Sequence, residues 1–182
     1  MNNIVLCGFM GCGKSTVGKN IARKTGRKYV DMDRYIEQKA GMSVSEIFEK
    51  YGEQGFRDME HEACRELSGE RNIVIASGGG AMTFERNAQV FKGSDTIVLL
   101  DVPLETIKQR LSGDTTRPLL QRPDKDEVMQ RLYEQRMPLY KSAADISVEG
   151  QSTPLKTAFA VMDALRLYPS PGKREQQGEN KN

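Results

Sequence analysis

Nine residues near the N-terminus, GFMGCGKST at 8–16, match the pattern Gly-x4-Gly-Lys-Ser/Thr in full. Each residue type there serves one task. The glycines let backbone N–H groups curl around phosphate oxygens. Lys14 reaches the terminal phosphates, and the Ser15 hydroxyl suits Mg2+. A helix beginning at this point aims its positive end at the anion. A chance match in a chain of this length is on the order of 1 in 100 from residue frequencies. The flanks supply the context the motif requires, with an apolar run before it and a periodic helical pattern after it. Gly11, Cys12, Gly13, Lys14, Ser15 and Thr16 are therefore the candidate contacts to a nucleoside triphosphate.

Further motifs narrow the class of nucleotide-binding protein. The base-reading Asn-Lys-x-Asp of a GTPase is missing, since Asn-Lys occurs only at 180–181. LSGE at 67–70 and LSGD at 111–114 stop short of a transporter signature, and a motor or helicase needs far more chain. A small kinase with a small-molecule acceptor remains. Its other chemistry-bearing residues lie where strands are expected to end. Asp31 and Asp33 follow the run at 29–30, SGGG at 77–80 follows the run at 72–76, and Asp101 follows the run at 96–100. By pattern alone Asp101 is the better magnesium carboxylate, because more apolar residues precede it. Its bland alternative is a cap for the helix opening at Pro103. Asp33 could likewise cap a helix from Arg34 onward. A lone Arg is most often a surface ion pair, and the glycines could form a plain turn. His61 lies between Glu60 and Glu62 on a helical stretch and reads as a solvated residue. Cys12 occupies a loop at a helix N-terminus, a place that lowers a thiol pKa, and is expected to alkylate in a nucleotide-protectable way.

These residues must be held by regular elements. Strands are expected at 3–7, 29–31, 72–76, 96–100 and 145–148. Helices are expected at 14–26, 35–40, from a Ser43–Glu46 capping box through a stretch at 52–67, and at 83–91, 103–111, 126–137 and 153–167. Strictly alternating strands and helices imply an α/β three-layer sandwich around a five-stranded parallel sheet. In such sheets ligands sit beyond the carboxyl ends of the strands, where the motifs above fall. The polar, proline-bearing segment 112–124 reads as a mobile loop and 168–182 as a disordered tail, leaving one domain at 1–167.

Composition agrees and excludes other classes. The chain has 182 residues with 27 basic and 25 acidic side chains, a net charge of +2, which argues against a nucleic-acid binder. The N-terminus shows no secretory signal, and no apolar run approaches a membrane span. One His and three unpaired Cys disfavour a zinc site and fit reduced thiols in the cytoplasm.

From about residue 3 to residue 165 the sequence resembles the shikimate kinase family. The resemblance rests on 8–16, Asp31-Met-Asp33, GEQGFR at 52–57, SGGG at 77–80, RPLL at 117–120 and RMPLY at 136–140, in that order and spacing. It implies a nucleoside-monophosphate-kinase-like P-loop fold and transfer of the ATP γ-phosphoryl group to the 3-hydroxyl of shikimate, with Mg2+, toward chorismate and the aromatic amino acids. It implies that Asp33 grips the ring hydroxyls and accepts the proton. Arg57 and Arg136 would hold the carboxylate, and Gly78, Gly79 and Gly80 would line the acceptor. Arg117 would be the cation of a lid at about 112–124, and 33–61 the substrate-binding segment. Arg110 and Gln151 would flank the adenine, and Asp31 rather than Asp101 would serve the metal with Ser15. A monomer is implied. Another small kinase, gluconate-kinase-like, or an idle nucleotide-binding regulator are the alternatives.

Overall fold

The computed structural model describes residues 2–112 and 124–167. The expected lid, with Arg117, and the expected tail lie outside the described residues.

Strands β1 (Ile4–Cys7), β2 (Lys28–Asp31), β3 (Ile73–Ala76), β4 (Thr96–Asp101) and β5 (Ile146–Glu149) form one parallel sheet in the order β2-β3-β1-β4-β5. The central strands are short aliphatic runs. IVLC in β1 and IVIA in β3 are buried at every position, as expected where helices cover both faces. The edge strands β2 and β5 are more polar and partly exposed. Helix α1 (Lys14–Thr25) connects β1 to β2 in one direction across the sheet. Helices α2 (Met32–Ala40), α3 (Val44–Gly69), α4 (Glu85–Phe91), α5 (Leu104–Leu111) and α6 (Lys125–Ala143) connect strands in the other. Right-handed crossovers therefore put α1 on one face and α2 to α6 on the opposite one. Helix α7 (Pro154–Ala164) packs beside α1. This is the three-layer arrangement expected.

Register brings the loops together. Leu6 pairs with Ala76, and Ala76 with Asp31, so β1, β3 and β2 end level with one another. The three segments that follow them lie side by side, with the glycine turn in the middle.

Four local expectations need correction. Helix α2 begins at Met32 rather than at 35, and Asp31 is its cap, accepting from the Arg34 N–H at 3.5 Å. The capping role proposed for Asp33 is thus filled by Asp31. Asp101 is not a cap either. It ends β4, Pro103 occupies the N-cap of α5, and the Asp101 carboxylate pairs with Lys141 at 3.5 Å. The helix expected from residue 83 is a 3-10 turn, Ala81–Thr83, followed by α4 from Glu85. Helix α6 does not stop at 137 but runs through Pro138 to Ala143. Pro138 removes one ladder bond, and the burial of Met137, Tyr140 and Ala143 holds the last turns in place.

The Ser43–Glu46 capping box is present as expected. The stretch it starts is two helical halves that meet at a kink at Gly52, whose φ of 68° and ψ of −176° are non-helical and suit glycine. No atom lies within 4 Å of where a Cβ would stand, so conformation rather than crowding demands the glycine. Beyond the bend, the second half of α3 brings Arg57 and Glu60 against the glycine turn that follows β3.

Candidate active site

The loop 8–13 leaves β1 and passes directly into α1, with Gly8, Gly11 and Gly13 all at positive φ. No acidic residue sits in the first turn of α1 to compete for an anion at its positive end. Lys14 is folded over the loop, its Nζ donating to the carbonyls of Gly8 at 2.8 Å and Phe9 at 3.2 Å. Cys12 departs from expectation. The whole residue is only 2% exposed, so its thiol is not open to reagents in the folded chain. A cleft of about 280 Å³ opens over this loop and is lined by Met10, Lys14, Ser15, Asp31, Asp33 and Gly79, among others.

At one end of the cleft, Ser15 Oγ donates to Asp31 Oδ2 at 3.2 Å. The Tyr29 hydroxyl donates to the same oxygen at 3.0 Å. Burial pushes the Tyr29 phenol up to about 12, so it remains a donor at neutral pH. Two hard oxygens joined at the lip of a phosphate loop fit Mg2+, which takes its other ligands from phosphates and water. Asp31 is joined to the Ser15 hydroxyl at the phosphate loop, whereas Asp101 pairs with Lys141.

On the other side of the cleft lies a charged cluster. Arg57 Nη1 donates to Glu60 Oε2 at 2.5 Å and Arg57 Nη2 to Glu53 Oε1 at 3.2 Å. The guanidinium is held between the rings of Phe56 and Phe84, with centroids 5.4 and 5.1 Å away. Burial alone would lower the Arg57 pKa, but the carboxylates of Glu60 and Glu53 outweigh it, and the cation is retained. Glu60 is 1% exposed. Its burial raises its pKa above the ordinary carboxyl range, Arg57 and Arg136 pull it back, and Asp33 adds to the rise. Asp33, Arg57, Glu60 and Arg136 thus share one electrostatic neighbourhood.

The glycine turn threads this cluster. A Cβ at Gly78 would stand 2.6 Å from Asp33 Oδ1 and 2.8 Å from Glu60 Oε1, and one at Gly80 would stand 2.9 Å from Arg57 Nη1. A side chain at either glycine would have to displace the ends of these charged side chains. A Cβ at Gly79 would meet nothing within 4 Å, and its residue lines the cleft. The turn brings backbone next to a carboxylate pair and a guanidinium without a side chain between them. Such a pocket can grip an acid bearing hydroxyl groups.

Other residues fall further out. Arg110, exposed at the end of α5, donates from Nη1 to the Cys12 carbonyl at 3.3 Å and so lies against the phosphate loop. Gln151 follows β5 and turns onto its own loop, with Nε2 donating to the Glu149 carbonyl. His61 is not a free solvated residue as read from sequence. Its Nδ1 lies 2.9 Å from Asn87 Oδ1, and the Asn87 amide donates to the Ala81 carbonyl, bracing the segment after the glycine turn. Sequence reasoning missed Glu60, Tyr29 and Tyr140. The available signal was spacing: Glu60 lies three residues after Arg57, on the same helix face.

Comparison with known proteins gives a consistent result. A family model described as shikimate kinase matches residues 10–166. The chain is 42% identical over 167 residues to the shikimate kinase of Persephonella marina, covering 91% of this chain and all of the relative. It is 46% identical over 141 residues to that of Geobacter sulfurreducens, covering 78% of each. Among solved structures, a shikimate kinase from Acinetobacter baumannii in complex with shikimate superposes with a TM-score of 0.85 at 37% identity, covering 91% of this chain and 93% of the other. The shikimate kinase of Aquifex aeolicus gives 0.79 at 36%, covering 90% and 96%. A gluconokinase from Sinorhizobium meliloti gives 0.60 at 18% identity, a likeness of fold alone.

Proposed function

The chain belongs to the shikimate kinase family, and from that premise we propose that it transfers the γ-phosphoryl group of ATP to the 3-hydroxyl of shikimate, giving shikimate 3-phosphate and ADP. It is an ATP-dependent phosphotransferase acting on an alcohol, in the route to chorismate and the aromatic amino acids. The observation that carries the reading is the meeting of Asp33, Arg57, Glu60 and the glycine turn beside the phosphate loop.

ATP lies with its phosphates against the backbone N–H groups of Gly11 to Thr16, and Lys14 neutralises the terminal phosphates. Arg57 and Arg136 hold the shikimate carboxylate. The planar fork of a guanidinium matches two carboxylate oxygens, and the Phe56 and Phe84 rings keep Arg57 oriented. Glu60 fixes Arg57 from behind by their ion pair. The turn at Gly78, Gly79 and Gly80 admits the ring hydroxyls to the backbone. Asp33 orients the 3-hydroxyl and takes its proton as oxygen bonds to phosphorus and the bond to ADP breaks. Such transfers are usually loose, so positioning and charge neutralisation supply most of the acceleration. Arg117 supplies a second cation to the transferring group, and Arg110 and Gln151 border the adenine. Ser15 and Asp31 would hold Mg2+, which when bound neutralises phosphate charge. The working unit is one domain at 1–167, a cytoplasmic monomer with substrate segment 33–61 and lid 112–124. No helix among the described residues is long and apolar enough to cross a membrane.

The test is ADP release in a coupled assay with ATP and Mg2+ across shikimate, quinate, gluconate and no acceptor. Turnover confined to shikimate is expected. Turnover with gluconate instead would overturn the acceptor assignment. ATP binding without acceptor-dependent turnover would point to a regulator.

A further inference from the structure

Tyr140 is bonded to the glycine turn, and none of the roles above uses it. It is 0% exposed, in α6, one helical turn after Arg136. Residues four apart share a helix face, so both point to the same side. The Tyr140 hydroxyl donates to the Gly79 carbonyl. The Arg136 cation, four residues earlier on that face, acts on the same phenol, and a hydroxyl can accept one hydrogen bond while donating another. Burial pushes the phenol well above its ordinary range, so the donor persists across neutral and mildly alkaline pH. The Gly79–Gly80 peptide is planar, so holding its carbonyl also fixes the direction of the Gly80 N–H. That N–H belongs to the residue packed against Arg57.

We propose that Tyr140 is a positioning residue for acceptor selection, its hydroxyl a strut that sets the spacing between Arg136 and the glycine turn. The acceptor is then gripped at its carboxylate and its ring hydroxyls at one fixed separation. A carboxylic acid with a different spacing between these groups fits poorly. The proposal rests on the reading of Arg136 and the glycine turn as acceptor contacts.

Tyr140→Phe keeps the ring in the core and removes only the strut. The KM for shikimate is expected to rise about fivefold, the scale of one lost hydrogen bond, with the KM for ATP within about twofold. Tyr133→Phe is the control for a merely structural loss. Tyr133 is on the same helix, and its hydroxyl donates to the Val102 carbonyl at 3.0 Å. Its removal is expected to leave the KM for shikimate within about twofold. Because Tyr140 acts through Arg136, the double variant Tyr140→Phe with Arg136→Lys is expected to show less than the product of the two single effects. An unchanged KM for shikimate in Tyr140→Phe, an equal rise in both KM values, an equal effect in Tyr133→Phe, or fully multiplicative effects would each overturn the strut. Absence of shikimate-dependent turnover in the wild type would instead overturn the functional reading, and the strut with it.

Discussion

Substituting Gly78 by alanine perturbs the site by a known amount. The new methyl carbon would stand 2.6 Å from Asp33 Oδ1 and 2.8 Å from Glu60 Oε1. Ordinary contact begins at 3.4 Å, so the Asp33 carboxylate must retreat by roughly 0.8 Å and Glu60 by roughly 0.6 Å. Both obstacles are ends of side chains, and Gly78 is not at positive φ, so alanine suits the backbone. The chain should therefore fold while the Asp33 carboxylate is displaced. Displacements near 1 Å cost up to about 10²-fold in rate when the chemistry depends on positioning. For Gly78→Ala, kcat/KM for shikimate is expected to fall about 10- to 100-fold, equivalent to about 1.4–2.8 kcal/mol of transition-state stabilisation. The assay is coupled ADP release with varied shikimate, with the Tm recorded on the same preparation. Gly79→Ala is the companion. Its methyl meets no protein atom within 4 Å and enters the cleft, so it should raise the KM for shikimate by blocking the acceptor rather than lower kcat through Asp33. A Gly78→Ala enzyme with kcat/KM within threefold of wild type would refute the reasoning. So would a loss explained wholly by unfolding at the assay temperature.

Asp33→Asn keeps the shape of the side chain and removes the proton acceptor, so turnover should fall about 10²-fold or more, and a loss below threefold would exclude that role. Asp31→Ala should raise the Mg2+ concentration for half-maximal rate about tenfold by freeing the Ser15 hydroxyl. Asp101→Ala should leave the Mg2+ dependence unchanged, since it loses only a half-exposed pair with Lys141. The opposite pattern would move the metal carboxylate to β4. All three cysteines are buried, and burial pushes the Cys7 and Cys64 thiols up to about 12. A disulfide thiol reagent should therefore label the native protein slowly and all three sites after unfolding. One fast site protected by nucleotide would restore the reactive Cys12 expected from sequence.

The nucleotide half of the site was legible in the chain because its geometry is local. Residues 8–16 carry their own turn, backbone donors and helix start, and nothing remote is needed to read them. The Ser43–Glu46 box and the glycine stops of α1 and α2 are local in the same sense. The alternation of apolar runs with helical periods likewise determined a parallel sheet and put the motifs at its carboxyl edge.

The acceptor half was decided by tertiary structure. Asp31 and Asp33 are two residues apart and both carboxylates, but the start of α2 makes one a cap that also holds the Ser15 hydroxyl and leaves the other facing Gly78. Glu60 sits in a polar helical stretch and looks exposed. It is buried because the bend at Gly52 turns α3 onto the strand ends, where Arg57 and the glycine turn enclose it. Tyr140 and Gly79 are 61 residues apart and meet only because α6 packs on the segment after β3. A residue's type limits what it can do. Its partner follows from strand order and helix packing, which many weak apolar contacts along the whole chain decide together.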